Sequence, residues 1–264
     1  MRPEQVKFYL TIASATMLAG VAFYIIYELA MNAADATWVT NIAYIAALLS
    51  PMLAFLVARR SAFWIQKGDS AFKSVLVSLA CIGGVVGTNI IFSIGKTTFQ
   101  VVAWDLLFFY VSIGVAEEIL YRLLVVNVVI AAFTAKNKAA GALGAVATII
   151  PIIWNSFVAD TTMRLVLLLV ATGIGAVFLA IVPRRDNRRS IAGDVTGVIV
   201  SALTFSLAHL QVYGVTAPEM LVATFITGAI MAACYVYTRD IAVAIGAHAV
   251  NNLMASIHLV LASL

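Results

Sequence analysis

Three short stretches carry ionisable or hydrogen-bonding groups in a chain otherwise built mostly from Val, Ile, Leu, Ala and Phe. Residues 114–122 read GVAEEILYR, 204–210 read TFSLAHL and 246–253 read GAHAVNNL. Glu118 and Arg122 stand four apart, the spacing at which a helix brings a carboxylate and a guanidinium onto one face. Glu117 points about 100° away from Glu118 on a regular helix and has no cation at helical spacing. A desolvated carboxylate of that kind suits a general base, whereas Glu118 with Arg122 suits a structural ion pair. The plainer reading makes both glutamates buried anchors, or marks a helix end at a polar interface. Phe205 and His209 share a face at i, i+4, and so do His248 and Asn252, with Asn251 about 100° off that face. Taken alone, His209 reads sooner as a hydrogen-bonded interface residue near a helix end than as a catalyst, and His248 with Asn252 reads equally well as hydrogen bonding between helices. The third histidine, His258, lies ten positions beyond His248 and reads as interfacial.

Together the three stretches imply more than each does separately. Two of the three histidines of the chain fall in these polar i, i+4 pairs. A helix bundle can gather one Glu, two His and one Asn around a single cavity. That set is adequate for peptide-bond hydrolysis: a base takes a proton from water, and donors hold the oxyanion that develops on the attacked carbonyl.

The elements that must position these groups are membrane spans. Hydrophobic residues make up 63% of the 264 positions and charged residues 11%, against roughly 45–50% and 25% in soluble domains. Apolar runs fall at 8–30, 39–58, 72–94, 101–133, 139–158, 163–183, 195–211, 218–237 and 241–262, each near the roughly 20 residues that cross a bilayer. The fold class is therefore all-α, a polytopic bundle of about nine transmembrane segments, with eight to ten allowed because 101–133 is long and can break near Gly114. The first run is longer than the apolar part of a cleavable leader. Arg2, Lys7, Arg59, Arg60, Lys67, Lys136, Lys138, the RRDNRR of 184–189 and Arg239 fall on one set of loops. Asp35, Lys96, Asp160, Arg164 and Glu219 fall on the other. Lys/Arg-rich loops stay in the cytoplasm, so the N-terminus is expected there. Residues 1–264 read as one integral-membrane domain, with the chemistry-bearing core in 101–262. The net charge of +4 follows from loop basic residues and calls for no nucleic acid; the bilayer is the partner that composition requires. Cys81 and Cys234 read as buried thiols, and the Gly83/Gly87 and Gly193/Gly197 pairs as close helix contacts.

EEILYR (117–122), FSLAH (205–209) and HAVNN (248–252) resemble, in order, the EExxxR, FxxxH and HxxxN motifs of the CAAX-protease and bacteriocin-processing family. This family of intramembrane proteases is also called Abi, or the type II CAAX prenyl endopeptidases. The resemblance covers about 114–255. It implies a catalytic Glu117 that activates water, a Glu118–Arg122 pair that fixes the helix, and Phe205 lining the site. It further implies His209 helping to hold the water and His248 with Asn252 stabilising the oxyanion. The substrate it implies is a peptide or membrane-anchored protein, with a prenylated CAAX-type tail leading and a peptide precursor or other anchored protein as alternatives. No cofactor is required if Glu117 acts on water unaided. A zinc site of Glu117, His209 and His248 stays chemically open, although the chain lacks the H-E-x-x-H pattern. In one respect the chain departs from the family: 92 positions separate Glu117 from His209, because the runs 139–158 and 163–183 intervene where little more than one hairpin is expected. Counting inward from the loops at about 1.5 Å per residue also puts His248 at a different depth from Glu117 and His209. The rival function is a proton- or ion-coupled transporter or a non-catalytic membrane scaffold using the same buried groups. Against it, the chain shows no repeat symmetry and no matched broken helices.

Overall fold

A computed structural model describes residues 71–93, 114–182 and 190–262. The runs 8–30 and 39–58, the start of 101–133, the RRDNRR loop, and the loop residues from Arg2 to Lys67 and at Lys96 lie outside them. The described residues are helical, with no β-strand among them. In chain order, α1 is Ala71–Ser93. The second helical run, α2, is α-helical over residues 114–118, π-helical over Ile119–Val126 and α-helical again over Asn127–Thr134. There follow α3 (Lys138–Asn155), α4 (Thr161–Ile181), α5 (Ile191–Ala208), the short α6 (Leu210–Tyr213), α7 (Pro218–Thr238) and α8 (Ile241–Ala262).

Polar residues at the loops set where the helices start. Asn137 and Asp160 accept hydrogen bonds from the backbone N–H groups of Ala140 and Met163, at 3.1 and 2.7 Å. Ser190 accepts from the Gly193 N–H at 3.1 Å and Asp240 from that of Ala242 at 2.9 Å. Each satisfies a donor that the first helical turn leaves without a partner. Pro218 opens α7, where its missing N–H costs nothing. Arg239 ends that helix in the left-handed region, at φ 56°, with its N–H on the Tyr235 carbonyl at 2.7 Å.

Among the described residues four helical stretches are long and apolar enough to cross a membrane: Val75–Phe92, Lys138–Asn155, Ile191–Tyr213 and Pro218–Thr238. Val166–Leu179 and Ile241–Leu253 are shorter apolar helices. The burial pattern is the reverse of a water-soluble protein. Leu79, Ile91, Leu143, Trp154, Ile191 and Val195 are exposed, while Thr148, Thr172, Ser201, Thr204 and Thr227 are buried. Where the surroundings are hydrocarbon, apolar side chains face out and polar ones must find partners inside. The threonines do so on their own helices: Thr88, Thr148, Thr172, Thr224 and Thr238 donate to carbonyls four residues back, at 2.6–2.9 Å.

The described residues fall into two compact units. One holds 124–182 and 190–200, with α3 packed on α4 and both on the end of α2. Small residues allow close approach there: a Cβ at Gly175 would fall 2.7 Å from a Leu124 methyl and 2.8 Å from that of Thr148. Gly193 and Gly197 lie against Phe133 and Val126, so that pair does mark a close helix contact. The other unit holds 71–93, 114–123 and 201–262, with α1 packed on α7 and α8 and these two on each other. Here the expectation for Gly83 and Gly87 is corrected: among the described residues nothing comes within 4 Å of a Cβ at either, and a close contact is made instead by Gly84 against Ile230.

Candidate active site

The polar residues of the three motif stretches belong to the second unit, where most of them stand on three rows of i, i+4 spacing, Glu117 and Asn251 lying beside the rows. The first row is Gly114, Glu118 and Arg122; the second is Ser201, Phe205, His209 and Tyr213; the third is His248 and Asn252. Glu118 and Arg122 are completely buried and meet at 2.9 Å, Oε2 to Nε. The guanidinium carbon lies 4.6 Å from the centre of the Phe205 ring, a distance at which ring quadrupole and cation attract. Phe205 also packs edge-on against Tyr121 at 5.3 Å and His248 at 5.7 Å, and lies 4.7 Å from the His209 ring. The first residue of the F-x-x-x-H motif is thus the aromatic hub of the site. Gly228 on α7 lets it sit there, since a Cβ at that position would be 3.0 Å from the Phe205 ring.

The π-helical run Ile119–Val126 begins directly after the two glutamates. Its wider i→i+5 turn is an irregularity frequent at functional sites. The Tyr121 carbonyl inside that run accepts a hydrogen bond from the Ser201 hydroxyl at 2.9 Å, and Ser201 Oγ lies 3.5 Å from Arg122 Nη1. A serine on α5 therefore tethers the π-helical turn that carries Arg122.

His248 completes a relay. Its Nδ1 lies 2.8 Å from Glu118 Oε1, so Glu118 gives one oxygen to Arg122 and the other to His248. Arg122 is always charged, and the carboxylate beside it can only accept; Nδ1 therefore carries the proton and donates. The opposite nitrogen, Nε2, faces Glu117 Oε2 at 3.6 Å. The two glutamates differ sharply in surroundings: the Glu117 side chain is 24% exposed and that of Glu118 is 0%. Close packing of α8 on the start of α2 depends on Gly114, where a Cβ would stand 3.3 Å from both His248 Cδ2 and Asn252 Nδ2. Asn252 therefore lies on the same face as His248, against the first row. Its neighbour Asn251 points elsewhere and accepts a hydrogen bond from Asn89 of α1 at 2.6 Å.

His209 occupies the junction between α5 and α6, and its Nδ1 lies 2.8 Å from the Phe205 carbonyl. A carbonyl only accepts, so Nδ1 carries a proton and Nε2 of the neutral ring is left as an acceptor.

The geometry brings Glu117, Glu118, Arg122, Phe205 and His248 into direct contact, with Asn252 against the same helix and His209 joined through Phe205. The depth mismatch counted from the loops is not obeyed: Glu117 and His248 are 3.6 Å apart. That count takes all helices as upright and starting at one level, which side-chain packing does not require. Among the described residues no three His, Cys, Asp or Glu side chains converge as a metal ion would need. Glu117, His209 and His248 form no such group. His258 lies in the last turns of α8. Sequence reasoning passed over Ser201 and Tyr213, and read Gly114 only as a possible break in its run. All three stand at multiples of four from a motif residue, and that continuation of the i, i+4 rows was the available signal.

A family model described as type II CAAX prenyl endopeptidase Rce1-like matches residues 99–254, more than half of the chain. The matched segment includes Glu117, Glu118, Arg122, Phe205, His209, His248 and Asn252. No curated protein and no solved structure matches the chain.

Proposed function

The chain belongs to the Rce1-like family of type II CAAX prenyl endopeptidases, and from that premise we propose that it cleaves a membrane-associated substrate with water activated by Glu117. Membership makes it a protease of the CAAX type, and its several apolar helices suit a membrane-embedded one. In our reading the chain crosses the bilayer repeatedly, with its N-terminus in the cytoplasm.

One observation carries the assignment of roles: the buried chain Arg122–Glu118–His248 presents the His248 Nε2 to the partly exposed Glu117 carboxylate. Glu117 takes a proton from water. The other hydrogen of that water is accepted by Nε2 of His209, whose Nδ1 is bound to the Phe205 carbonyl. The water oxygen bonds to the scissile carbonyl carbon, and the oxyanion is met by the Asn252 amide and by Nε2–H of His248. As a donor at Nε2, His248 has to be the imidazolium, a form that two flanking carboxylates suit. Collapse of the tetrahedral intermediate breaks the C–N bond, and the proton held by Glu117 passes to the leaving amine. Glu118 and Arg122 touch no substrate in this scheme; they fix the orientation and tautomer of His248. No metal enters any step.

A prenylated CAAX-type tail is the leading substrate, with a peptide precursor or another anchored protein behind it. The test is incubation of the purified protein in detergent with a farnesylated CAAX-type peptide, its unprenylated counterpart and a peptide library, followed by mass spectrometry for new termini. The reading expects new termini in the farnesylated peptide first. Cleavage confined to unprenylated peptides would move the substrate assignment to the alternatives, and no cleavage of any peptide would defeat the reading.

A further inference from the structure

The row that carries His209 continues past it. Phe205, His209 and Tyr213 follow one another at four-residue steps, and their rings lie in succession. Phe205 and His209 centroids are 4.7 Å apart with the planes at 60°, and His209 and Tyr213 are 5.8 Å apart and nearly parallel at 19°. Between α5 and α6 the backbone keeps this register: the N–H of Tyr213 bonds to the His209 carbonyl at 2.9 Å. Gly214, at φ 67°, then turns the chain away, its N–H on the Leu210 carbonyl at 2.7 Å. The short helix Leu210–Tyr213 is thus one further turn that ends as soon as Tyr213 has been delivered. The imidazole lies between the tilted Phe205 ring and the nearly parallel Tyr213 ring, and its Nδ1 is held by the Phe205 carbonyl.

We propose that Tyr213 is a positioning residue of the active site, whose ring fixes the plane of His209 so that Nε2 is aimed at the water beside Glu117. The proposal rests on the reading of His209 as the group that holds that water. The ring performs this task, not the hydroxyl. An imidazole clamped on one face only can rotate about its side-chain bonds, and a misplacement on the order of 1 Å at a reacting group costs about 10²-fold in rate.

The test compares Tyr213→Leu, Tyr213→Phe, His209→Ala and the double variant His209→Ala/Tyr213→Leu on a quenched fluorescent farnesylated CAAX-type peptide. Tyr213→Leu should lower kcat by about tenfold to a hundredfold with KM nearly unchanged. Tyr213→Phe should restore activity to within about threefold of the parent protein. The double variant should be no slower than His209→Ala alone, because a residue that acts through another adds nothing once that other is gone. A second readout needs no turnover. The chain has only three histidines, so histidine-labelled protein gives three resolvable imidazole signals, and the His209 signal alone should move when the stacked ring is removed. Tyr213→Phe as damaging as Tyr213→Leu would overturn the ring assignment in favour of the hydroxyl. Tyr213→Leu without effect, or additive with His209→Ala, would overturn the proposal while leaving His209 in place. A neutral His209→Ala would instead defeat the reading on which it rests.

Discussion

The two units of the molecule treat polarity in opposite ways. In the unit of 124–182 and 190–200 the buried polar residues are neutral: Asn127, Thr148, Asn155, Ser156 and Thr172. Thr148 and Thr172 bond within their own helices. In the unit of 71–93, 114–123 and 201–262 a carboxylate, a guanidinium and an imidazole are buried together; Arg122 meets Glu118 on its own helix, while other contacts join different helices: Glu118 to His248, Ser201 to the Tyr121 carbonyl, Asn89 to Asn251. A hydroxyl bonded four residues back asks nothing of its neighbours. A buried charge, by contrast, is tolerable only where a second element is held in register with it. In the first unit a close contact such as Gly175 against Leu124 and Thr148 involves no ionised group, whereas in the other the contacts of Gly114 with His248 and Asn252 and of Gly228 with Phe205 fall on groups of the site.

The largest effects should separate the two glutamates. Glu117→Gln keeps size but removes the base, and should lower turnover by about 10²–10⁴-fold with the thermal midpoint unchanged. Glu118→Gln leaves Arg122 buried without its carboxylate and His248 without its anchor. It should cost about 3–5 kcal/mol of stability and lower turnover as well. Equal stability losses at the two positions, measured by thermal unfolding in detergent, would remove the division of labour.

Next come the paired asparagines. Asn252→Ala should lower kcat by about 10²–10³-fold with little change in KM, as loss of one oxyanion donor does. Asn251→Ala removes the bond to Asn89 and should mainly lower the thermal midpoint. A steady-state comparison on one peptide decides it; a larger kcat loss at Asn251 would mean that the face assigned to the oxyanion is the wrong one.

Smaller, and aimed directly at the contrast between units, are two glycine replacements. Gly175→Ala drives a methyl against Leu124 and Thr148 and should destabilise by about 1–3 kcal/mol without altering kcat of the folded enzyme. Gly114→Ala meets His248 and Asn252 at a looser 3.3 Å. It should leave the thermal midpoint almost unchanged yet lower kcat by about tenfold, because displacement falls on reacting groups. Should both variants move stability and turnover in proportion, the distinction between a packing unit and a chemical one would fail.

Much of the described fold was legible because its signals are local. The runs 139–158, 163–183, 218–237 and 241–262 coincide within a few residues with α3, α4, α7 and α8, whose starts are set by Asn137, Asp160, Pro218 and Asp240. The contact of Glu118 with Arg122 follows from spacing alone. The contact of Glu118 with His248 does not: it arises where α8 packs against Gly114, and nothing in a single sequence pairs two helices 130 positions apart. The π-helical turn also left no trace, since an i→i+5 run has no apolar pattern of its own. Gly83 and Gly87 misled because α1 is apolar on all sides, and such a helix does not announce which face it packs. The tyrosine that stacks on His209 was readable as the next step of its row.

Direct activation of water by Glu117 is the centre of this account, and metal dependence tests it most directly. Purified protein is dialysed exhaustively against chelator, its bound metal is quantified by mass spectrometry, and cleavage of the farnesylated peptide is measured before and after. Full activity with far less than one metal ion per chain is the predicted result. Loss of activity on chelation, recovered on adding Zn²⁺, would contradict it and make ligands of Glu117 and the two histidines.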